Sequence, residues 1–412
     1  MLHDATPGLA ARLATDRPIA GYNGFDPSGP SLHIGNLVPI FGLLQLQRHG
    51  GQPVVLVGGA TGMIGDPSGR SSERALLDDA TLAANAEAIR GQLEPFLDFS
   101  PGPTQARIVN NLDWLAPVGM LDFLRDVGKH FTVPYMLAKD SVQARLDRGL
   151  SYTEFSYMLL QAADFAHLHR TMGVELQTGG ADQWGNITAG LELIRRTAGE
   201  DVAESPAHGL AYPLLTLPSG EKFGKTAEGT SVWLDPARTS PFSFYQYWLN
   251  AADADVGRYL RFFTLLSPEE VAALEASQAA DPGARPAQRA VAGDLTARVH
   301  GAAAARRAER ASEAAFSRAP IVDPEVLDTL WREADGFDVV PGSADGPAAA
   351  FLAANGLVGS TSEARRLIAG GAVTINDVRI AAHDAPVPEP VAGRWYQVRI
   401  GRQTRRTGRL AG

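Results

Sequence analysis

One segment near the start of the chain carries side chains suited to binding phosphate groups. Residues 24–36 read GFDPSGPSLHIGN, a turn-rich stretch that leads into a helical pattern beginning near Asn36. A helix N-terminus presents free N–H groups and positive dipole to phosphate oxygens. His33 and Asn36 add side-chain donors, and Gly35 permits a flat base to approach closely. Taken alone, the segment also fits a capped helix with an incidental histidine.

A second segment places two lysines three residues apart in a chain that otherwise uses arginine. Residues 222–226 read KFGKT, and only four of the 37 basic residues of the chain are lysines. This segment suits the neutralisation of a departing pyrophosphate, because it offers the ammonium groups of Lys222 and Lys225 and the Thr226 hydroxyl. Charge stabilisation provides most of the catalysis available at a phosphoryl centre. The alternative is a solvated hairpin loop.

A third segment is an apolar helical pattern interrupted by one polar stripe. Within residues 155–168, Tyr157, Gln161 and Asp164 recur at i, i+4 and i+7, which places them on one face of a helix. A buried carboxylate without partners is costly, so this stripe needs either a ligand or neighbouring polar groups. An internal hydrogen-bonded network is the competing interpretation.

The elements around these segments predict an α/β fold with a Rossmann-like parallel sheet. A short apolar run at 54–57 and a second short strand at 174–177 each lead into glycine-rich stretches, and helical patterns alternate with them. Beyond Trp233 the composition becomes alanine-rich and helical, at 268–280 and 287–316. A capping-box pattern at Ser360 and strands at 373–375 and 378–380, joined by Asn-Asp, follow near the end.

We therefore expect several domains. The predicted division is a catalytic domain at 1–232 with an inserted connective segment and the loop 221–229, an α-helical domain at 233–334, a linker at 335–347 rich in Gly, Pro, Ser and Asp, and a small α+β RNA-binding domain at 348–412.

Composition narrows the classes of protein further. The chain has 412 residues, no cysteine and a formal net charge of -9, so disulfides and thiolate metal sites are excluded. Residues 361–412 hold nine arginines and four acids, which favours an RNA-binding end joined to an acidic body, although a solvated tail fits charge alone. No histidine pair shows metal-ligand spacing, and no signal peptide or membrane-spanning run is present. We expect a cytoplasmic protein with no bound metal and no membrane contact.

Together, the first two segments resemble the signature motifs of class I aminoacyl-tRNA synthetases, usually written HIGH and KMSKS. The chain departs from them at Asn36, which replaces a histidine, and at the Phe-Gly-Lys-Thr of the second motif. With YNGFD at 22–26, GDPSG at 65–69, GGADQWGN at 179–186 and the polar stripe, nearly the whole chain resembles the bacterial tyrosyl-tRNA synthetases.

This resemblance implies activation of L-tyrosine by ATP, accompanied by Mg²⁺, and transfer of the tyrosyl group to the 3′-terminal adenosine of tRNA(Tyr). It implies that Tyr22 and Asp164 bind the substrate phenol and that its ammonium group is bound by Asp66, Tyr157 and Gln161. The implied ATP contacts are Asp26, Ser28, His33, Gly35, Asn36, Asp182 and Lys225. The implied catalytic residues are His33, Asn36, Gln183, Lys222, Lys225 and Thr226.

The segment from about Ala348 resembles an RNA-binding module shared with a ribosomal small-subunit protein. By that resemblance, the arginines Arg402, Arg405 and Arg406 contact tRNA phosphates, mostly without reading sequence. A homodimer is implied by the family alone.

Three other functions fit part of the sequence. The glycines at 59–65 fit a dinucleotide loop of a dehydrogenase, although such a loop normally opens a helix, whereas here Asp-Pro-Ser-Gly follows. A non-catalytic RNA-binding protein on a synthetase scaffold is disfavoured by the intact lysine pair and polar stripe. Tryptophan activation is disfavoured by the combination of Tyr22 with Asp164.

Overall fold

The computed structural model of the chain consists of two compact units. It describes residues 2–68, 77–146, 149–199, 204–215, 230–317, 319–401 and 404–410. The first unit comprises 1–238 and 261–265, and the second comprises 239–260 and 266–412. The predicted loop at 221–229, and with it Lys222, Lys225 and Thr226, lies outside the described residues, as does Arg402.

The first unit is built on a six-stranded sheet whose order is β1-β6-β5-β2-β3-β4. The strands are β1 Asp4–Ala5, β2 Ala20–Phe25, β3 Gln52–Val57, β4 Arg107–Asn110, β5 Val174–Gly180 and β6 His208–Tyr212. All neighbours pair in parallel except β1, which pairs antiparallel with β6 at the edge. This confirms the predicted α/β parallel sheet. The strand order reverses between β2 and β5, and ligands of open α/β sheets bind at the carboxyl ends of strands at such a point.

Ten helices connect the strands in the described part of the first unit. They are α1 Leu9–Leu13, α2 Leu37–Arg48, α3 Thr61–Ile64, α4 Asp79–Leu93, α5 Leu112–Leu115, α6 Met120–Asp126, α7 Val133–Leu137, α8 Asp140–Leu146, α9 Tyr152–Met172 and α10 Trp184–Ala198. Helix α2 begins beside Asn36, as predicted, with Pro39 in its first turn. Helix α9 begins where the Ser151 hydroxyl accepts the Glu154 N–H (3.2 Å) and ends at Gly173, whose φ of 65° suits a glycine C-cap.

The core beneath the candidate site joins the central strands to α9 and α10. Side chains from β2, β3 and β5 pack with Phe165 and Leu168 of α9 and with Ile187 and Leu191 of α10. Residues 165 and 168 lie on the face of α9 that covers the sheet, and this fixes the rotation of the helix about its axis. The polar stripe of α9 therefore takes up a defined position beside the carboxyl ends of the strands.

The remaining helices lie in the second unit, apart from the last three residues of one of them, 261–263, which belong to the first unit. They are α11 Pro241–Leu249, α12 Asp253–Phe263, α13 Pro268–Ala280, α14 Pro286–His300, α15 Ala302–Phe316, α16 Pro324–Glu333, α17 Ala348–Ala354 and α18 Thr361–Ala369. The predicted helical segment 287–316 is two helices rather than one, because Gly301 between them has a φ of 86°, which breaks the helical path. No helix in the described ranges is long and apolar enough to cross a bilayer.

A small sheet closes the second unit, with the order β7-β11-β10-β8-β9. Its strands are β7 Phe337–Val339, β8 Val373–Ile375, β9 Val378–Arg379, β10 Trp395–Ile400 and β11 Thr404–Leu410. The predicted hairpin between β8 and β9 is present: Asn376 and Asp377 both have positive φ, 49° and 60°, as a type I′ turn requires.

The segment 335–347, predicted as a linker, is partly a strand. Phe337 and Val339 are buried on either side of exposed Asp338, and β7 pairs in parallel with β11. The alternation of apolar Phe337 and Val339 around Asp338 is only three residues long. The surrounding glycine, proline and aspartate therefore predicted a linker instead of a strand. The C-terminal sheet therefore begins before the predicted boundary at Ala348.

Candidate active site

The predicted site residues of the first unit converge on one cavity. It has a volume of about 440 Å³ and opens at the carboxyl ends of β2 and β5, where the strand order reverses. The predicted residues that line it are Tyr22, Asp26, Ser28, His33, Asn36, Asp66, Tyr157, Gln161, Asp164, Asp182 and Gln183. Gly35 lies at the same helix start, where its N–H binds His33. The polar stripe of α9 faces this cavity along its length.

One end of the cavity is a buried polar pocket around Asp164, which is only 1% exposed. Its carboxylate accepts hydrogen bonds from Asn111 Nδ2 (2.9 Å) and from the Trp114 indole N–H (2.8 Å). Burial raises the pKa of Asp164 to about 7, while these two donors act in the opposite direction. The carboxylate is thus held in place by two donors and can accept a third from a ligand.

Tyr22 lies in the same pocket. Its side chain is 1% exposed, and its hydroxyl has no hydrogen-bond partner among the described residues. Burial, with the nearby Asp164, raises the pKa of the Tyr22 phenol well above its usual value, so the group stays neutral. A buried hydroxyl without a partner costs free energy that a polar ligand atom in the cavity can recover.

Three residues of this pocket were not predicted from the sequence. Gln177 is paired in register with Tyr22 across β2 and β5, is 2% exposed, and has an Oε1 without a partner in the described part of the chain. Trp114 lies in the short helix α5 and Asn111 directly precedes that helix. Both residues are far from α9 in sequence. Apolar residues alternating with a glutamine along β5 were the only clue to Gln177.

The middle of the cavity carries a network of carboxylates. Asp26 accepts hydrogen bonds from the Tyr157 hydroxyl (2.9 Å) and from the Thr61 hydroxyl (2.8 Å). Asp66 accepts one from Gln183 Nε2 at 2.6 Å. Asp26, predicted on the ATP side alone, therefore also contacts the α9 stripe. Two carboxylates at this position suit a ligand ammonium group.

The other end of the cavity is the helix start at residues 33–36. His33 Nδ1 accepts the Gly35 N–H (3.0 Å), and Asn36 Oδ1 accepts the His33 N–H (3.0 Å), a reciprocal cap. Because Nδ1 is the acceptor, the neutral imidazole carries its proton on Nε2 and can donate it to a phosphate oxygen. The Asn36 side chain thus caps the helix through Oδ1, a role that its position in the sequence did not reveal. Its Nδ2 is the atom that can donate a hydrogen bond to a ligand.

The glycine-rich stretch at 59–65 does not form a dinucleotide loop. The Gly59 N–H binds Asn110 Oδ1 (3.2 Å), and the Ala60 N–H binds Asn111 Oδ1 (2.8 Å). These N–H groups are therefore used within the protein, and α3, which follows, is only four residues long.

One of the tail arginines, Arg405, is directed differently from its predicted role. The Arg405 guanidinium donates to the carbonyls of Ala314 and Ser317, both at 2.9 Å, and to Gln397. Arg406 binds the carbonyl of Asp335 (2.9 Å). We therefore revise the role of Arg405: its donors are directed into the second unit rather than toward solvent, because it lies on the inward side of β11.

Comparisons with known proteins agree with this geometry. The family model described as tRNA synthetases class I (W and Y) matches residues 14–317. The tyrosine–tRNA ligase of Anaeromyxobacter dehalogenans is 53% identical over 408 residues, covering 98% of this chain and 95% of that protein. That of Roseiflexus castenholzii is 48% identical, with 98% and 95% covered. The chain belongs to the bacterial tyrosyl-tRNA synthetases. A solved structure, a C-terminally truncated mitochondrial tyrosyl-tRNA synthetase of Coccidioides posadasii, has a TM-score of 0.66 at 31% identity, covering 75% of this chain and 88% of that one.

The enzyme is thus a tyrosine–tRNA ligase that uses ATP to activate tyrosine and transfers the tyrosyl group to tRNA. The dehydrogenase, the non-catalytic RNA-binding protein and the tryptophan enzyme considered from sequence are wrong for this chain. Among the described residues, no group of three or more His, Asp or Glu side chains has the arrangement of a metal site.

Proposed function

We propose that the cavity holds tyrosine and ATP together, with the phenol at Asp164 and the triphosphate at His33. The observation that supports this arrangement is the continuity of one cavity from the buried carboxylate to the helix start. No residue acts as a nucleophile, since the tyrosine carboxylate attacks the α-phosphate. The protein contributes positioning and charge.

Tyrosine is recognised at both of its polar ends. The substrate phenol donates to Asp164 and accepts from the Tyr22 hydroxyl, which gives that buried hydroxyl a partner. The ammonium group lies among Asp66, Tyr157 and Gln161, where Gln183 orients the Asp66 carboxylate (2.6 Å). Such a pocket favours tyrosine over phenylalanine, because phenylalanine would leave the buried polar groups unpaired.

ATP lies across the helix start. His33 Nε2 and Asn36 Nδ2 donate to phosphate oxygens, Ser28 lies beside them, and Asp182 binds the ribose. Lys222, Lys225 and Thr226 close over the pyrophosphate, a role that rests on their sequence pattern alone. Mg²⁺ arrives with ATP, and no metal is bound by the protein itself.

ATP–pyrophosphate exchange tests the assignment of the pocket. With tyrosine, phenylalanine and tryptophan supplied separately, we expect rapid exchange with tyrosine alone, because only its hydroxyl satisfies both Tyr22 and Asp164. The measurement is the rate of labelled pyrophosphate incorporation into ATP over a range of each amino acid. Comparable kcat/KM values for tyrosine and phenylalanine would remove Asp164 from substrate recognition.

The 3′ end of the tRNA enters through a second cavity, of about 870 Å³, that shares Asp182 with the first. Its lining includes Lys139, Trp184 and Arg195, and the Lys139 ammonium is held by the Thr188 hydroxyl (3.0 Å). Arg195 pairs with Glu192 of the same cavity (2.9 Å), so Lys139 and the Trp184 ring are the groups that suit a single-stranded RNA end. The shared aspartate would bring the terminal adenosine beside the adenylate.

The second unit binds the rest of the tRNA. We assign the helices at 233–334 to the anticodon side and the sheet and helices near 348–412 to general RNA contact, with Arg406 retained as a candidate phosphate ligand. The enzyme acts in the cytoplasm, where tRNA is charged for the ribosome.

The enzyme forms a homodimer through an apolar surface on and beside α6. This α6 patch consists of Val118, Met120, Leu121 and Leu124, exposed by 43%, 70%, 81% and 41%. Leucine and methionine exposed to this degree side by side mark a protein-protein contact, since scattered single residues are the rule elsewhere.

Replacing Leu121 with aspartate is expected to convert the dimer into a monomer. A charge at the centre of the α6 patch would have to be desolvated on association. Sedimentation at micromolar protein concentration measures the change, and Leu13→Asp, at an exposed leucine of α1, is the matched control. A wild-type monomer, or a dimer that survives Leu121→Asp, would contradict this interface.

A further inference from the structure

The C-terminal sheet and the preceding helices of the second unit share one hydrophobic core. Trp395 of β10 is 4% exposed and packs with Ile321 and with Val326 and Leu330 of α16. The Trp331 and Trp395 rings lie 6.4 Å apart. An RNA-binding module on a flexible tether would not bury a tryptophan against the neighbouring helices, so the sheet has a defined orientation on them.

Polar contacts at the edge of this core involve Arg405. Its guanidinium donates to the carbonyls of Ala314 at the end of α15 and Ser317 just beyond it, both at 2.9 Å, and contacts the Ala319 carbonyl at 3.4 Å. Gln397 of the neighbouring strand accepts a hydrogen bond from the Arg405 guanidinium through Oε1. Its Nε2 donates to the Ile321 carbonyl (2.5 Å). One strand pair therefore satisfies four carbonyls of the segment between α15 and α16.

These carbonyls need donors. The last carbonyls of a helix have no partner within it, and those of Ala314 and Ser317 lie at the end of α15. A guanidinium supplies five donors in a rigid plane, whereas an ammonium supplies three around one point. The arrangement therefore suits arginine better than lysine, and it occupies N–H groups that a phosphate contact would need.

We propose that Arg405 is a positioning residue for tRNA aminoacylation, which fixes the C-terminal sheet on α15 and α16 so that both bind one tRNA in a single orientation. This inference rests on the proposed role of the second unit in binding tRNA. Arg405 acts through the carbonyls of Ala314, Ser317 and Ala319 and not through contact with RNA. Losing it lets the sheet change its orientation and weakens tRNA binding without changing the chemistry of activation.

Salt dependence separates this role from a direct phosphate contact. Each phosphate contact contributes about one to the slope of log Kd against log salt concentration, because counterions are released. A residue that only orients the sheet changes Kd at every salt concentration by the same factor. Arg394, exposed on the hairpin that leads into β10, serves as the matched control for a solvent-facing arginine.

The experiment compares the full-length wild type with Arg405→Ala, Arg405→Lys and Arg394→Ala. For Arg405→Ala we expect an unchanged rate of tyrosine-dependent pyrophosphate exchange, a tRNA KM raised about tenfold, kcat within twofold, and an unchanged salt slope. Arg405→Lys should restore part of the tRNA KM, since an ammonium can satisfy some of the carbonyls. Arg394→Ala removes the same charge without the carbonyl contacts and should raise the tRNA KM by less than Arg405→Ala does.

Several results would overturn the proposal. A salt slope lowered by about one in Arg405→Ala would make the residue a phosphate ligand, and an unchanged tRNA KM would leave it without a role in binding. Should Arg405→Ala not fold, Gln397→Leu removes the partner anchor and must raise the tRNA KM at constant slope. Wild-type enzyme without tyrosine-dependent exchange would instead refute the proposed function, independently of Arg405.

Discussion

Replacing Asp164 with asparagine is expected to lower kcat/KM for tyrosine in pyrophosphate exchange by about 60- to 20,000-fold. The carboxylate already accepts hydrogen bonds from Asn111 and Trp114. An asparagine amide can accept through its oxygen only, so its NH₂ group would face a donor: Asn111, Trp114 or the substrate phenol. A hydrogen bond to a charged acceptor contributes about 1.5–3 kcal/mol, and a buried donor left unpaired costs about 1–3 kcal/mol more. The sum, about 2.5–6 kcal/mol, gives the stated range at about 1.4 kcal/mol per tenfold.

The same substitution should leave phenylalanine almost unaffected, because that substrate has no hydroxyl to pair. The ratio of the two kcat/KM values would then fall by nearly the whole loss measured for tyrosine. Asp255→Asn is a matched control, since Asp255 is also buried, at 8% exposure, but belongs to the second unit and pairs with Arg258. A tyrosine kcat/KM within tenfold of wild type would exclude the carboxylate as the phenol acceptor.

The pH dependence of tyrosine binding follows from the raised pKa of Asp164. With a pKa of about 7, this carboxyl is mostly protonated at pH 6 and mostly ionised at pH 8. The phenol donates better to a carboxylate than to the neutral acid, so the Kd of tyrosine should fall as the pH rises through this range. Trp114→Phe removes a donor that lowers the pKa, and should shift the transition to higher pH. A flat profile between pH 6 and 8 would contradict the assignment.

Replacing His33 with alanine is expected to reduce kcat of pyrophosphate exchange by about 10²–10³, with a small change in KM for tyrosine. The Nε2 proton, directed by the bond from Gly35 to Nδ1, is placed to stabilise charge that develops on the triphosphate. Loss of one such donor costs roughly 2.7–4 kcal/mol of transition-state stabilisation.

A second variant separates the phosphate role of His33 from its role as a helix cap. His33→Ala also removes a cap, worth about 1 kcal/mol of folding stability. His33→Asn retains an oxygen that can accept the Gly35 N–H but lacks the imidazole N–H at the same reach. We expect His33→Asn to have wild-type thermal stability and a rate near that of His33→Ala. A rate restored together with stability would show that His33 acts only by capping the helix.

Arg405 shows what composition leaves unspecified. Arginine density at the end of the chain predicts RNA contact, and the opposite signs of body and tail support it. Charge counts do not say which way a side chain points, however. On β11 the inward position of Arg405 and its donors to Ala314 and Ser317 follow from strand pairing with β10, a contact that no local pattern specifies.

Sequence alone determined the polar stripe of α9, the parallel sheet and the family, because each is written in local spacing, as in Tyr157, Gln161 and Asp164. The phosphate-binding roles of the segments 24–36 and 222–226 stay predictions. Only the tertiary structure decided which groups hold Asp164, since Asn111 is 53 residues away along the chain. The tertiary structure also decided the existence of β7, the hydrogen bonds of the His33–Asn36 cap and the direction of the Arg405 side chain. Periodicity specifies which face of an element is buried, whereas the partner across that face is chosen by packing of the whole chain.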